Sequence, residues 1–422
     1  MSSNVDTRTR AAGAAPPVDA ATFWATEWRD ALARNGARAA ADAARLDLAP
    51  LAITVDDEVW TLRRGDDILE VVPGADAATP GVVLDADALS DFVAEQRTAL
   101  GLLIAGRVSG DPEATSAFCD WDAVVRSAID GRGVHETGDV TLRALDGSPL
   151  DLDQRFHLGD RPEEAGHFLA EAGFLLLSDV FDRDEIDELD ADLAHAVDAA
   201  QPADGESWWA ATAAGERYPC RILDFADQSA ALRRLFGDPR YRAIGALLGE
   251  GHRPGDPFGE HFADPTAEGL VKKVDSVEGL VCLPWHKDCQ RGGHSMFCSG
   301  ITVGICLTPV DPAHGGLDVV AGSHRSNIAF TQVNDGLGLP EVTLHAARGD
   351  LTLHMSCALH RSTHPTSAER RVVYTGFALP PRPGDHRAHD AQPRLRRQRA
   401  AVGDPTTAAR VTAGSDVSAP RR

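Results

Sequence analysis

The feature that most limits what this chain can be is Trp285-His286-Lys287-Asp288, read together with His360 and Arg371 downstream. Residues two apart on a β-strand point to the same face, so a strand here aims His286 and Asp288 at one point. A second imidazole from a distant strand, His360, completes a face of two histidines and one carboxylate. The other coordination positions stay open, and that donor set suits a non-haem Fe(II) centre. A His-x-Asp pair alone arises often by chance, so its company gives it weight. Gly349-Asp350 opens an apolar run, Leu351-Thr352-Leu353, that reads as a strand, and His360-Arg361-Ser362 follows. Arg371, eleven residues after His360, can reach back from the next strand and clamp a carboxylate with its planar fork of donors.

From about Glu163 to Leu379 several pieces come in a fixed order: EAGFLLLSDVFDRDEIDELDADL, RILDF, WHKD, ITVGICLTPVDPAHGGLDVVAGSH, ARGDLTLHMSCALHRS and ERRVVY. This half of the chain resembles the phytanoyl-CoA dioxygenase family of Fe(II)- and 2-oxoglutarate-dependent oxygenases. The resemblance implies that His286, Asp288 and His360 hold Fe(II), which 2-oxoglutarate chelates and O2 then joins. It implies that Arg371 meets the far carboxylate of 2-oxoglutarate, with the Ser362 hydroxyl as a second donor. Arg221, just before Asp224-Phe225, and Lys272 or Lys273 (Lys273 being preferred), on the strand before the His-x-Asp segment, are the further cosubstrate contacts it suggests. The implied reaction is hydroxylation of an unactivated C–H bond of a small molecule, with release of succinate and CO2. Halogenating relatives leave the carboxylate position small, so Asp288 favours hydroxylation or another oxidation.

Two positions depart from or qualify the family pattern. Gly304 stands in ITVGICL where many relatives have a Trp beside the cofactor, which leaves either a wider pocket or a gap for another aromatic. VAGSH stands where Pro-Gly-Ser-His is usual, and by that likeness His324 is structural rather than a ligand. Between the metal ligands the chain has several strands, Gly and Pro turns and no long helix, which argues a double-sheet, jelly-roll (cupin-like, double-stranded β-helix) architecture with flanking helices. Pro162 and two acids start a helix, Gly173 ends it, and Asp182 caps the next. His252 and His261, in a Gly- and Pro-rich loop, read as solvent-facing or substrate-side.

The preceding part of the chain reads differently. Residues 1–18 are polar and Ala/Pro-rich, the composition of a disordered segment. Ala20 to about Leu46 shows helical spacing of Phe23, Trp24, Trp28 and Leu32. Short strands follow at LAITVD, EVWTLRR, DILEVVP and GVVLDA, then a helix at DALSDFVAEQ, an apolar turn at ALGLLIAGRVSGD, and a helix from about Pro112 to Asp130. This α+β pattern over residues 19–135, with GRVSGDPEAT as its strongest match, resembles a sterol-carrier-protein domain. That likeness implies an apolar pocket for an acyl chain or sterol; a filled core would make it a docking unit instead. Residues 136–160 read as a linker, 161–380 as the oxygenase unit, and 381–422, rich in Pro, Arg and Ala, as a disordered tail.

Composition narrows the partners. At 422 residues the chain can hold two or three domains, and 43% hydrophobic residues is ordinary for a globular protein. A net charge of −23 argues against a nucleic-acid binder and against docking on an anionic membrane. Seven cysteines without a Cys-x-x-Cys pair argue against a disulfide framework and fit a reducing cytoplasm. The first residues lack the apolar stretch of a signal peptide, and no apolar run has the length of a membrane span. The expected substrate is a lipid, acyl or sterol-like molecule delivered by the first unit. The alternatives are a polar natural-product or amino-acid-like substrate, and a catalytically silent lipid-binding protein. The pattern carries no signal for oligomeric state.

Overall fold

A computed structural model describes residues 17–65, 67–95, 97–255, 267–279, 281–291, 300–334 and 336–379. The expectations for residues 1–16, His261 and the tail 381–422 lie outside the described residues.

In the first unit, Ala20–Thr22, a π-helical turn Phe23–Glu27 and Trp28–Arg45 run on as one helix. Four strands follow: β1 (Leu51–Val55), β2 (Glu58–Arg64), β3 (Leu69–Pro73) and β4 (Gly81–Leu84). The helix Ala86–Val93 comes next, with Asp85 accepting from the Ala88 amide as its N-cap. ALGLLI, read as a turn, is the helix Ala99–Ile104, because the Thr98 hydroxyl caps it by accepting from the Gly101 amide. β5 (Val108–Gly110) leads to the helix Pro112–Asp130, which has Asp111 as N-cap, Pro at its start and Gly131 in the left-handed conformation at its end. The sheet order is β3-β2-β1-β4-β5, with only β1 and β4 parallel. Trp24, Trp28, Phe92, Phe118 and Trp121 fill the space between this sheet and the helices, each at most 3% exposed.

The second unit has β6 (Phe156–His157) and β7 (Phe174–Ser178), then β8 (Ser207–Thr212), β9 (Arg217–Ile222), β10 (Arg253–Pro254), β11 (Glu268–Lys272) and β12 (Ser276–Glu278). After these come β13 (Leu283–His286), β14 (Gly300–Cys306), β15 (Leu317–Val320), β16 (Glu341–Leu344), β17 (Leu351–Met355), β18 (His360–Ser362) and β19 (Arg370–Ala378). They form two sheets. The larger has ten strands in the order β12-β8-β9-β11-β19-β14-β17-β7-β6, with β10 added at β19. The smaller has the order β13-β18-β15-β16. One face of the large sheet packs Val303, Ile305, Leu351, Leu353 and Val373 with the helices, whereas its alternate residues face the small sheet.

The helices sit where capping chemistry starts and stops them. Arg183–Ala199 opens on a capping box between Asp182 and Glu185. Pro162–Ala172 ends at Gly173, at φ 79°. A Cβ on Gly173 would lie 2.4 Å from Nδ1 of His324, so both the backbone conformation and the space demand glycine. His324 in turn bonds the Ala170 carbonyl through Nε2 at 2.9 Å. It therefore fastens the segment after β15 to this helix.

The two units share a hydrogen-bonded junction. The Asn327 amide donates to the carbonyls of Ala123 at 2.9 Å and Arg132 at 2.7 Å. The Thr331 amide donates to Asp120 at 2.8 Å, and His135 Nε2 bonds the Leu337 carbonyl at 2.8 Å. The helix Ala99–Ile104 lies against the 3-10 turn Asp288–Arg291. The region expected as a free linker also joins the oxygenase unit, since Phe156–His157 pairs with β7. Replacing Asn327 with Ala strips the donor from two carbonyls inside the junction. Urea unfolding should show a loss of about 2–4 kcal/mol, and an unchanged midpoint would count against the junction as drawn.

Candidate metal centre

His286 ends β13 and His360 opens the neighbouring β18, where they are directly paired across the strands. Their ring centroids are 4.2 Å apart. Asp288 is not on the strand, contrary to the reading of His-x-Asp as one extended segment; it starts the 3-10 turn Asp288–Arg291. The turn still folds its carboxylate back, so that Oδ1 lies 3.5 Å from His286 Nε2 and Oδ2 lies 3.8 Å from His360 Nε2. One donor atom from each of the three residues falls within 4.8 Å of the others. Lys287, between the two, points the other way and donates to the Ser323 and Ser326 carbonyls at 3.3 and 3.2 Å.

The protonation pattern suits a cation. His286 Nδ1 sits 2.7 Å from the Pro284 carbonyl, and His360 Nδ1 sits 2.9 Å from that of Ala358. A carbonyl only accepts, so each Nδ1 carries the hydrogen and each Nε2 presents a lone pair inward. His286 Nε2 is buried without a hydrogen bond. Burial, followed by the neighbouring His286 and His354, holds His360 well below the usual imidazole range and therefore neutral. Burial pushes the Asp288 carboxyl up, but His360, His286 and His354 outweigh it and hold that carboxyl well below its usual range. Two imidazoles and one carboxylate therefore converge, the donor set of an Fe(II) site with open positions.

Two residues that sequence reading missed complete the surroundings of Asp288. Thr302 on β14 donates to Oδ2 at 3.2 Å, and His354 on β17 lies 3.4 Å from the same oxygen. Both come from the large sheet, so the carboxylate is gripped from both sheets. The signal was present in Leu351-Thr352-Leu353-His354, where the polar residues alternate with the apolar ones.

The cosubstrate residues are rearranged by strand parity. In β19, Arg370 is fully buried and stands opposite Lys272 of β11 on the inner face. Lys272 Nζ donates to the Ser362 hydroxyl at 2.7 Å. Arg370 donates to the Gly316 carbonyl at 3.2 Å and to the Tyr374 hydroxyl at 3.1 Å, and its Nε is buried without a partner. Arg371 does not join them. It faces the helix Arg183–Ala199, where Asp190 takes its guanidinium at 2.9 Å and Glu369 lies at 3.7 Å. Lys273 also points away, pairing with Glu216 at 2.5 Å over the Tyr218 ring. Arg221 lies on the inner side near Lys272, but Glu268 neutralises it at 2.5 Å and Trp208 flanks it. Of the residues expected at the cosubstrate, Ser362, Arg221 and Lys272 share the inner face, whereas Arg371 and Lys273 turn away from it.

Burial, then the charges of Arg370 and Arg221, brings the Lys272 ammonium down to about 7. Neither Lys272 nor Arg370 has a carboxylate partner among the described residues. At Gly304 a Cβ would come 2.6 Å from Thr352 Oγ1 and 3.0 Å from the Tyr374 ring. Tyr374 therefore occupies the place where an indole was expected.

A family model described as Phytanoyl-CoA dioxygenase (PhyH) matches residues 169–373. Solved structures are similar at low identity. The non-heme alpha ketoglutarate dependent epimerase SnoN from nogalamycin biosynthesis is 20% identical over 51% of this chain and 81% of its own, with a TM-score of 0.40. EctD from S. alaskensis, solved with 2-oxoglutarate and 5-hydroxyectoine, is 19% identical over 59% of this chain and 86% of its own, with a TM-score of 0.42. No curated protein matches. The site and the family match define an Fe(II)- and 2-oxoglutarate-dependent oxygenase. The match to the phytanoyl-CoA dioxygenase family model runs from β7 into the start of β19 and so includes all three metal-face residues.

His286→Ala or His360→Ala should lower Fe(II) affinity at least about 100-fold in anaerobic calorimetry, more than the loss of an outer partner costs. His354→Ala, which removes only such a partner, should cost about 10-fold. Equal effects of all three would contradict the assignment of roles.

Proposed function

We propose that the protein hydroxylates an unactivated C–H bond of a small molecule, with the metal held by His286, Asp288 and His360. When bound, iron with 2-oxoglutarate and O2 supplies the oxidising power, and succinate and CO2 are released. The observation that carries the reading is the pair of buried cations, Lys272 and Arg370, beside a two-histidine, one-carboxylate face. A buried charge without a partner costs several kcal/mol, and a dicarboxylate matches two cations next to a metal. Arg370 then offers a planar fork to the far carboxylate, Lys272 a point charge, and Ser362 a hydroxyl already aligned by Lys272. Arg370 takes the role expected for Arg371. The two facing sheets fit the expected double-stranded β-helix core.

The N-terminal unit reads best as a docking unit rather than a lipid carrier. Its interior is filled by tryptophan and phenylalanine, and its helix Ala99–Ile104 braces the turn that bears Asp288. The sterol-carrier likeness finds no support in the comparisons. We therefore favour a substrate that binds the oxygenase unit directly, with a polar natural-product-like molecule as readily accommodated as an apolar one. None of the six described cysteines is in a disulfide. Among the described residues no helix is long and apolar enough to cross a membrane.

The deciding assay is oxygen-dependent succinate formation from 2-oxoglutarate after anaerobic Fe(II) loading. Arg370→Met should raise the cosubstrate Kd at least about 30-fold, the loss of a charge-assisted pair worth about 2 kcal/mol or more. Arg371→Met should leave that Kd within about threefold, since its partners lie outside the site. A reversed pattern would restore Arg371 as the clamp.

Cosubstrate binding should also depend on pH. Lys272 titrates near 7 in the protein, and an incoming carboxylate favours its charged form. Binding above that pH must therefore take up a proton, so affinity falls as pH rises, by up to about tenfold per pH unit. Calorimetry at pH 6.5 and 8.5 should show the decline in the parent protein and a flat profile in Lys272→Met. A flat profile in both would remove Lys272 from the site.

A further inference from the structure

Two thiols flank the metal-binding face and take no part in the chemistry above. Cys289 follows Asp288 in the 3-10 turn, and Cys357 lies between His354 and His360. Their sulfurs are 2.8 Å apart. That is closer than non-bonded sulfurs settle, and about 0.8 Å beyond a disulfide bond of about 2.05 Å. The backbones also run side by side, because the Cys289 amide donates to the Ser356 carbonyl at 3.1 Å. A bond between the two therefore needs adjustment of two side chains and no rearrangement of strands.

We propose that Cys289 and Cys357 form a peroxide-oxidisable pair, and that closing it to a disulfide weakens the hold on Fe(II). Cys289 is 8% exposed and Cys357 fully buried, so Cys289 is the thiol that a small oxidant reaches first. Its sulfur takes one oxygen from hydrogen peroxide, giving a sulfenic acid and one water. The Cys357 sulfur then displaces that hydroxyl, which leaves as a second water with the thiol proton, and the S–S bond forms. Two thiols and one peroxide thus become one disulfide and two waters. The new bond ties the turn that bears Asp288 to the segment that leads to His360, so the carboxylate can no longer shift to meet an entering metal. The effect on iron rests on the functional reading above, whereas the formation of the bond does not.

The test uses the full chain, reduced and then treated anaerobically with stoichiometric hydrogen peroxide. Trypsin should release residues 288–291 joined to residues 349–361, each carrying one of the two cysteines. The intact mass should fall by about two daltons and return with dithiothreitol. Anaerobic calorimetry with Fe(II) should show a Kd at least tenfold higher in the oxidised protein, restored on reduction. Cys357→Ser and, separately, Cys289→Ser should show neither the joined peptides nor the reversible loss. Oxygen addition without the joined peptides, or a bond to another cysteine, would overturn the pair. Joined peptides with an unchanged Kd would overturn the effect on the metal. Failure of the reduced protein to take up Fe(II) would strike at the iron site itself, while the peptide map still decides the thiol pair.

Discussion

The charge on Asp288 is the constraint that the rest of the oxygenase unit serves. Its carboxylate is buried, and burial alone would protonate it. Imidazoles from three segments and the Thr302 hydroxyl reverse that outcome, and they come from both sheets. His360 stays neutral because it is buried, with His286 and His354 beside it, and this outweighs the pull of Asp288 and of the Ala358 carbonyl. The three ligands come from the small sheet and the turn after β13, whereas Thr302 and His354, which steady the carboxylate, come from the large one. The geometry of the site therefore depends on β13 and β18 being held over β14 and β17, and that spacing is set by the packed core behind them.

Strand parity explains most of what sequence reading found and missed. His286, Asp288 and His360 were legible because their residue types and spacing are chemically distinctive. The strands and helices of both units were legible from alternation and caps, with ALGLLI lost because its hydroxyl cap lies just outside the apolar run. Arg370 and Arg371 could not be separated by composition or spacing. A shift of one residue in a strand moves a side chain to the opposite face. The choice is made across the sheet, where Lys272 pairs with Arg370 and Val271 with Arg371. The same rule separates Lys272 from Lys273. Such parity is fixed by register with a distant strand, which no local pattern states.

The N-terminal unit illustrates a second limit. Its strands and helices were readable, but its relation to the site was not, because Asn327 and Asp120 are ordinary polar residues until the fold joins them to the other unit. The junction gives the docking reading a physical basis. The helix Ala99–Ile104 presses on the turn that places Asp288, while Lys287 anchors that turn from behind through two carbonyls near Asn327. A ligand residue on a short 3-10 turn has few hydrogen bonds of its own to fix it. Packing from both sides replaces the rigidity that a strand would have supplied.

Lys272 and Arg370 lie on the inner face of the large sheet without a carboxylate partner among the described residues, in contrast to two other arginines of the unit. Arg221 has Glu268, and Arg361 has Asp318. A protein selected only for stability would neutralise Lys272 and Arg370 in the same way or replace them with apolar side chains, which is often the more stable choice. Retaining two positive groups there keeps part of the folding free energy in reserve for a dianionic ligand. Binding then relieves an electrostatic cost already present in the fold, and the metal face and the carboxylate clamp favour the same occupant.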